Sequence, residues 1–133
     1  MSVYPVVRYK DPAAGIEWLK RAFGLSEQTV DTGDDGTVRH AELRAGDGLV
    51  MISPAREDDW MGGTSPDPLR STVSVYIVLD GDIDAHHDRA KAAGATIVMR
   101  PTDHDYGSRD YSARDPEGNL WSFGTYSPTA SGH

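Results

Sequence analysis

The sequence predicts an α+β fold made of two βαβββ modules. Two observations carry this: the order strand, capped helix, Gly stop, three strands occurs twice, and the second copy lies 70 positions after the first. At that shift Val3 falls on Val73, Gly24 on Gly94, Arg39 on Arg109, Arg44 on Arg114 and Gly48 on Gly118.

Each element has a local cause. Val3 to Tyr9 is apolar and β-prone, and reads as the first strand. Asp11-Pro12 supplies an N-cap and a proline at the first helical position. Ile16, Leu19 and Phe23 then form a helical stripe, and Gly24 ends it. Short strands follow at 27–32, 38–44 and 49–53, separated by turns at Gly33 to Gly36 and Gly46 to Gly48. In the second copy the strand is 73–79 and the helix runs from its Asp82 cap to Ala93. Strands at 95–99, 106–114 and 120–126 complete it.

The expected organisation is a first module at 1–54, a Pro/Gly-rich linker at 55–72, a second module at 73–127 and a polar tail at 128–133, within one structural domain.

Composition narrows the chemistry. The 133 residues include no cysteine, which removes disulfides, Cys-held zinc or Fe–S centres and thiol catalysis. A net charge of −8 disfavours nucleic acid and favours cationic partners, unless it serves solubility alone. The first twenty residues lack a signal-like pattern, and no apolar run is long enough for a membrane span, so a cytoplasmic location is expected.

Strand alternation sorts the faces. Val75, Ile77 and Leu79 belong under the helix, with Ser74, Tyr76 and Val78 in front. By the same register Pro5, Val7 and Tyr9 go behind, and Tyr4, Val6 and Arg8 in front. Met51 and Trp121 are expected behind; Val50, Ile52, Leu120, Ser122, His40, Glu42, Asp110 and Ser112 are expected in front. That front face suits either a small-molecule cleft or the inside of a closed barrel.

Several residues invite a chemical role. His40 and Glu42, two apart on one strand, form either a general acid/base pair or a cross-strand polar pair. His86 and His87 are adjacent on a helix and make a poor chelate. Asp103-His104-Asp105 is an Asp/His cluster of the kind that can bind a metal, but in a loop before a strand it reads first as solvated turn residues. Trp60, beside Glu57, Asp58 and Asp59, either stacks on a flat ligand or plugs a dimer seam.

The duplicated plan, the closing stretch DPEGNLWSFGTY and the helix DIDAHHDRAKAAGA resemble the vicinal oxygen chelate superfamily. This is the group of glyoxalase I, extradiol dioxygenases, and fosfomycin- and bleomycin-resistance proteins. The resemblance implies curved mixed sheets around a cleft and a homodimer. In metal-dependent members four side chains from the first and last strands of the modules, usually His and Glu, hold the metal. Those places carry over to Tyr4, Ile52, Ser74 and Ser122, with Met51 or Ser53 chosen instead of Ile52 if the register slips by one.

None of the four is a good divalent-cation ligand. The expectation is therefore a protein of the bleomycin-resistance kind with no metal and no cofactor. It would sequester a small, flat molecule, a cationic one where the acidic charge does the steering, with Tyr4, Ile52, Trp60, Ser74, Tyr76, Tyr111 and Ser122 lining the site. The alternative is a glyoxalase-like enzyme with a displaced metal site or His40/Glu42 acid–base chemistry.

Overall fold

The computed structural model describes residues 1–55, 73–105 and 107–128. Trp60, its acidic neighbours, most of the expected linker, Tyr106 and the last residues lie outside the described residues. Among the described residues the elements are β1 (Val6–Tyr9), α1 (Pro12–Phe23), β2 (Ser26–Thr32), β3 (Val38–Ala45), β4 (Gly48–Pro54), β5 (Val75–Val78), α2 (Ile83–Ala92), β6 (Thr96–Asp103), β7 (Arg109–Arg114) and β8 (Leu120–Gly124). They form two mixed sheets of four strands, ordered β1-β4-β3-β2 and β5-β8-β7-β6. The sheets are separate, so the front faces do not line a closed barrel.

Both helices begin as the sequence predicts. The Asp11 carboxylate accepts from Ala14 N at 3.1 Å, and that of Asp82 from Ala85 N at 3.1 Å. Gly24 ends α1 with φ 78°, a conformation that costs a side chain dearly. The first strands are shorter than expected, because pairing starts only at Val6 and Val75. β6 is longer, and its Pro101 is tolerated because β6 is an edge strand whose pairing skips from Met99 to Thr102.

The two modules share a core between helices and sheets. Val7, Tyr9, Leu19, Leu43 and Ile52 meet Ile77, Tyr111, Trp121 and Phe123 there. Phe23, at the end of α1, is the bridge: its ring centroid lies 5.5 Å from Trp121 and 4.6 Å from Phe123. Burying such a ring contributes about 3 kcal/mol. Polar contacts fasten the helices. Trp18 Nε1 donates to Ala93 O at 2.6 Å, and Arg89 donates to Arg21 O and Lys20 O near the end of α1. These carbonyls lack partners within the helix, so the arginine caps them.

The DPEGN turn is the second fastening. Asp115 is 3% exposed. Its carboxylate accepts from Tyr9 Oη at 2.5 Å, Trp121 Nε1 at 3.1 Å, and the backbone N–H groups of Glu117 and Asn119 at 3.0 Å each. Burial, then the Asp115 charge, pushes the Tyr9 hydroxyl pKa far upward, so the phenol stays a donor. Glu117 reaches the start of α1, accepting from Lys10 N at 2.6 Å and Asp11 N at 2.9 Å. The motif thus ties the end of the chain to its beginning.

Candidate functional site

The front faces, away from the helices, hold the exposed apolar side chains of β1 and β5: Val6, Tyr76 and Val78. In the second module Tyr76 pairs in register with Ser122, and Ser122 with Ser112 across β7. The Ser112 and Ser122 hydroxyls are hydrogen-bonded at 2.8 Å. Tyr76 Oη donates to Tyr126 O at 2.8 Å. Further along β7, Asp110 accepts from His104 Nε2 at 2.6 Å. His104 opens the turn after β6, as the sequence implies, Gly107 N donating to its carbonyl at 3.0 Å, but its side chain is paired with Asp110 on β7, six positions on, rather than left to solvent.

The first module presents different chemistry. His40 Nε2 donates to Glu42 Oε2 at 3.2 Å, and Gln28 Nε2 donates to Glu42 Oε1 at 3.0 Å. The Gln28 bond first, and the His40 bond second, hold the Glu42 carboxyl below the usual carboxylate range. It is therefore an ionised acceptor near neutral pH. Tyr4 and Ser74 precede their strands and are exposed, Tyr4 at 51%.

One strand is in the opposite register from that expected. Val7 pairs with Ile52 and Val6 with Met51. Val50 and Ile52, expected in front, are buried in the core, Ile52 at 0% exposure, and Met51 takes the front place. The cause is the turn before the last strand. Arg44 pairs with Leu49 but Arg114 with Leu120, so the second turn is one residue longer and the repeat slips at that point. Met51, not Ile52, is the counterpart of Ser122.

Tyr111 is also corrected. It pairs with Phe123 and lies fully buried in the core, not in front. Its hydroxyl meets His86 Nδ1 at 2.6 Å, while His86 Nε2 donates to Phe23 O at 2.9 Å. A carbonyl only accepts, so neutral His86 carries its proton on Nε2 and Nδ1 accepts from Tyr111. Burial lowers the His86 pKa, in keeping with that neutral form, and burial raises that of Tyr111. A shallow depression lined by Tyr9, Trp18, Arg21 and Pro116 lies on the helix side, away from the front residues.

The donor set can be tested against a metal. The ligand places implied by the family resemblance are Tyr4, Ser74 and Ser122, with Met51 in place of Ile52 once the observed pairing is applied. A phenol, a thioether and two hydroxyls do not fit a divalent cation that wants carboxylate or imidazole. Among the described residues no three of His, Asp or Glu gather closely enough to hold a metal ion.

The fold and sequence have clear relatives. The model of the Glyoxalase/Bleomycin resistance protein/Dioxygenase superfamily matches residues 3–123. The uncharacterized protein Rv0887c of Mycobacterium tuberculosis (strain ATCC 25618 / H37Rv) is 34% identical over 120 residues, spanning 86% of this chain and 68% of that one. TioX from Micromonospora sp. ML1 superimposes with a TM-score of 0.75 at 32% identity, covering 98% of this chain and all of TioX. A family enzyme from Burkholderia phytofirmans PsJN shares the fold, with a TM-score of 0.69 at 20% identity over 91% of this chain and 94% of that one. On the family match and the duplicated βαβββ architecture together, the chain belongs to the glyoxalase/bleomycin resistance protein/dioxygenase superfamily.

Proposed function

We propose that this protein binds and sequesters a small, flat molecule, preferentially a cationic one such as an antibiotic, without a metal. The observation that supports the reading is the chemistry of the donor set: Tyr4, Met51, Ser74 and Ser122, the places at which the family resemblance implies His and Glu in metal-dependent members, offer a phenol, a thioether and two hydroxyls. Around them Val6, Tyr76 and Val78 offer exposed apolar surface, with serine hydroxyls as sparse polar anchors. The net charge of −8 supports a cationic ligand. Trp60, with Glu57, Asp58 and Asp59, is assigned to stacking from the sequence.

The exposed β1 and β5 side chains also support a homodimer that covers part of them. Among the described residues no helix is long and apolar enough to cross a membrane. We place the protein in the cytoplasm.

Equilibrium dialysis against Ni, Zn, Mn and Fe(II), followed by elemental analysis, tests the metal-free reading. No retained metal is expected. One tightly held ion per chain would overturn it. Ligand screening follows, and Trp60→Ala is expected to weaken capture of a flat cation about 10-fold.

His40 bonded to an ionised Glu42 favours a second reading, acid–base catalysis with His40 as the proton carrier. If an activity is found and survives substitution of both residues, that reading is removed.

A further inference from the structure

Tyr76 owes its position to a missing side chain. A Cβ on Gly124 would sit 2.7 Å from Tyr76 Oη, 3.2 Å from Tyr76 Cε1 and 2.6 Å from Asp110 Cβ. Gly124 is not among the positive-φ glycines, so space rather than backbone conformation requires it. The ring reaches across β8 over Gly124, and its hydroxyl is fastened to Tyr126 O at 2.8 Å. Tyr76 nevertheless keeps 38% of its surface exposed.

Ser122 is the register partner of Tyr76, and its hydroxyl lies 2.8 Å from that of Ser112. In such a pair one hydroxyl donates to the other, and the second keeps its own proton for a third group. A held aromatic ring and a hydroxyl pair with one proton to spare therefore lie on neighbouring strands. The first module has no equivalent: pairing puts Val6, Met51 and Ser53 at the places of Tyr76, Ser122 and Gly124.

We propose that Tyr76 is a stacking platform for a flat aromatic ring bearing a carbonyl or ring-nitrogen acceptor, and that the Ser112/Ser122 pair donates to that acceptor. The inference rests on the small-molecule reading above and gives its ligand a chemical class. Gly124 acts as a positioning residue, through Tyr76.

Riboflavin, a flat ring system with carbonyl acceptors, and proflavine, a flat cation without them, serve as probes. Each is titrated into the full chain up to millimolar concentration, following probe fluorescence and backbone amide shifts. Riboflavin is expected to saturate, with shifts centred on Ser122, Gly124 and Tyr126. Tyr76→Leu raises its Kd about 10-fold, while Tyr76→Phe, which keeps the ring, recovers most of the affinity. Ser122→Ala weakens riboflavin about 5-fold and leaves proflavine unchanged. Gly124→Ala reproduces Tyr76→Leu; should it not fold, the exposed Tyr76→Leu and Ser122→Ala changes carry the test. Riboflavin binding that is indifferent to Tyr76→Leu, or that maps elsewhere, overturns the platform and leaves the binding reading standing. Binding of proflavine alone does the same. Binding of neither probe overturns the platform and counts against sequestration of flat molecules altogether.

Discussion

The two modules share a plan yet spend their last turn differently. In the first, the turn around Gly46 and Asp47 is exposed and short. In the second, the longer turn from Asp115 to Asn119 is wired into the first module through Tyr9, Lys10 and Asp11. The difference teaches that a duplicated module diverges where its copies must meet. The inserted residue that allows this contact also shifts the last strand by one place relative to the repeat. The same sequence change thus joins the modules and makes their front faces unlike.

The comparison is broken most severely at Asp115. Asp115→Ala leaves the Tyr9 hydroxyl and the Trp121 indole N–H without their acceptor inside the core. A loss of about 3–5 kcal/mol is expected by urea unfolding. Asp47→Ala, in the corresponding exposed turn, is expected to stay within about 0.5 kcal/mol. Equal effects would mean that the second turn carries no special weight.

Next in size is Gly15. Its Cβ position lies 2.8 Å from Tyr9 Cδ2, so Gly15→Ala pushes the ring that reaches Asp115. The expected cost is about 1–3 kcal/mol despite the helical advantage of alanine. At the matching place in the second helix Ala85 is exposed, and there Ala85→Gly costs about 0.5–1 kcal/mol. Opposite preferences at matched positions are what a one-sided contact demands.

The smallest effect is read in the pH dependence of Tm. His86 joins the modules in its neutral form, and its folded pKa lies below the unfolded value of 6.5. The unfolded chain therefore binds the proton more readily. The contribution of His86 is present above 6.5 and is lost as pH falls through the folded pKa. Tm is expected to fall on acidification through this range, with a flatter slope in His86→Gln. The first module carries no histidine at the matching position, Ile16 standing nearest in its helix stripe, so the sensitivity belongs to the second copy.

Much of this was legible in the sequence because it is local. Helix caps at Asp11 and Asp82, the Gly24 stop and the alternation of Val75 to Val78 depend on near neighbours, and the structure follows them. The face of Ile52 was not legible, because it depends on where a one-residue insertion falls between two copies of low identity. Tyr111 sits between Asp110 and Ser112, both forward-facing, and strict alternation sends it behind; its aromatic character alone had suggested a ligand contact. The structural duty of DPEGN was hidden for another reason. Turn chemistry predicts the bend, but nothing nearby predicts that Asp115 and Glu117 meet residues at the opposite end of the chain. The Tyr76–Gly124 fit is likewise a matter of space between strands.

The reach of Glu117 to Lys10, across 107 positions, has a consequence for how the protein comes into being. Contacts of such long range close late, and folding dominated by them is slow. While the chain is being made, α1 can form with Phe23 against Trp18 of the same helix, but the partners of Phe23 in the second module, His86, Trp121 and Phe123, emerge much later. The first module therefore waits with one side of Phe23 uncovered until the second module follows, and the DPEGN turn then fastens the two together.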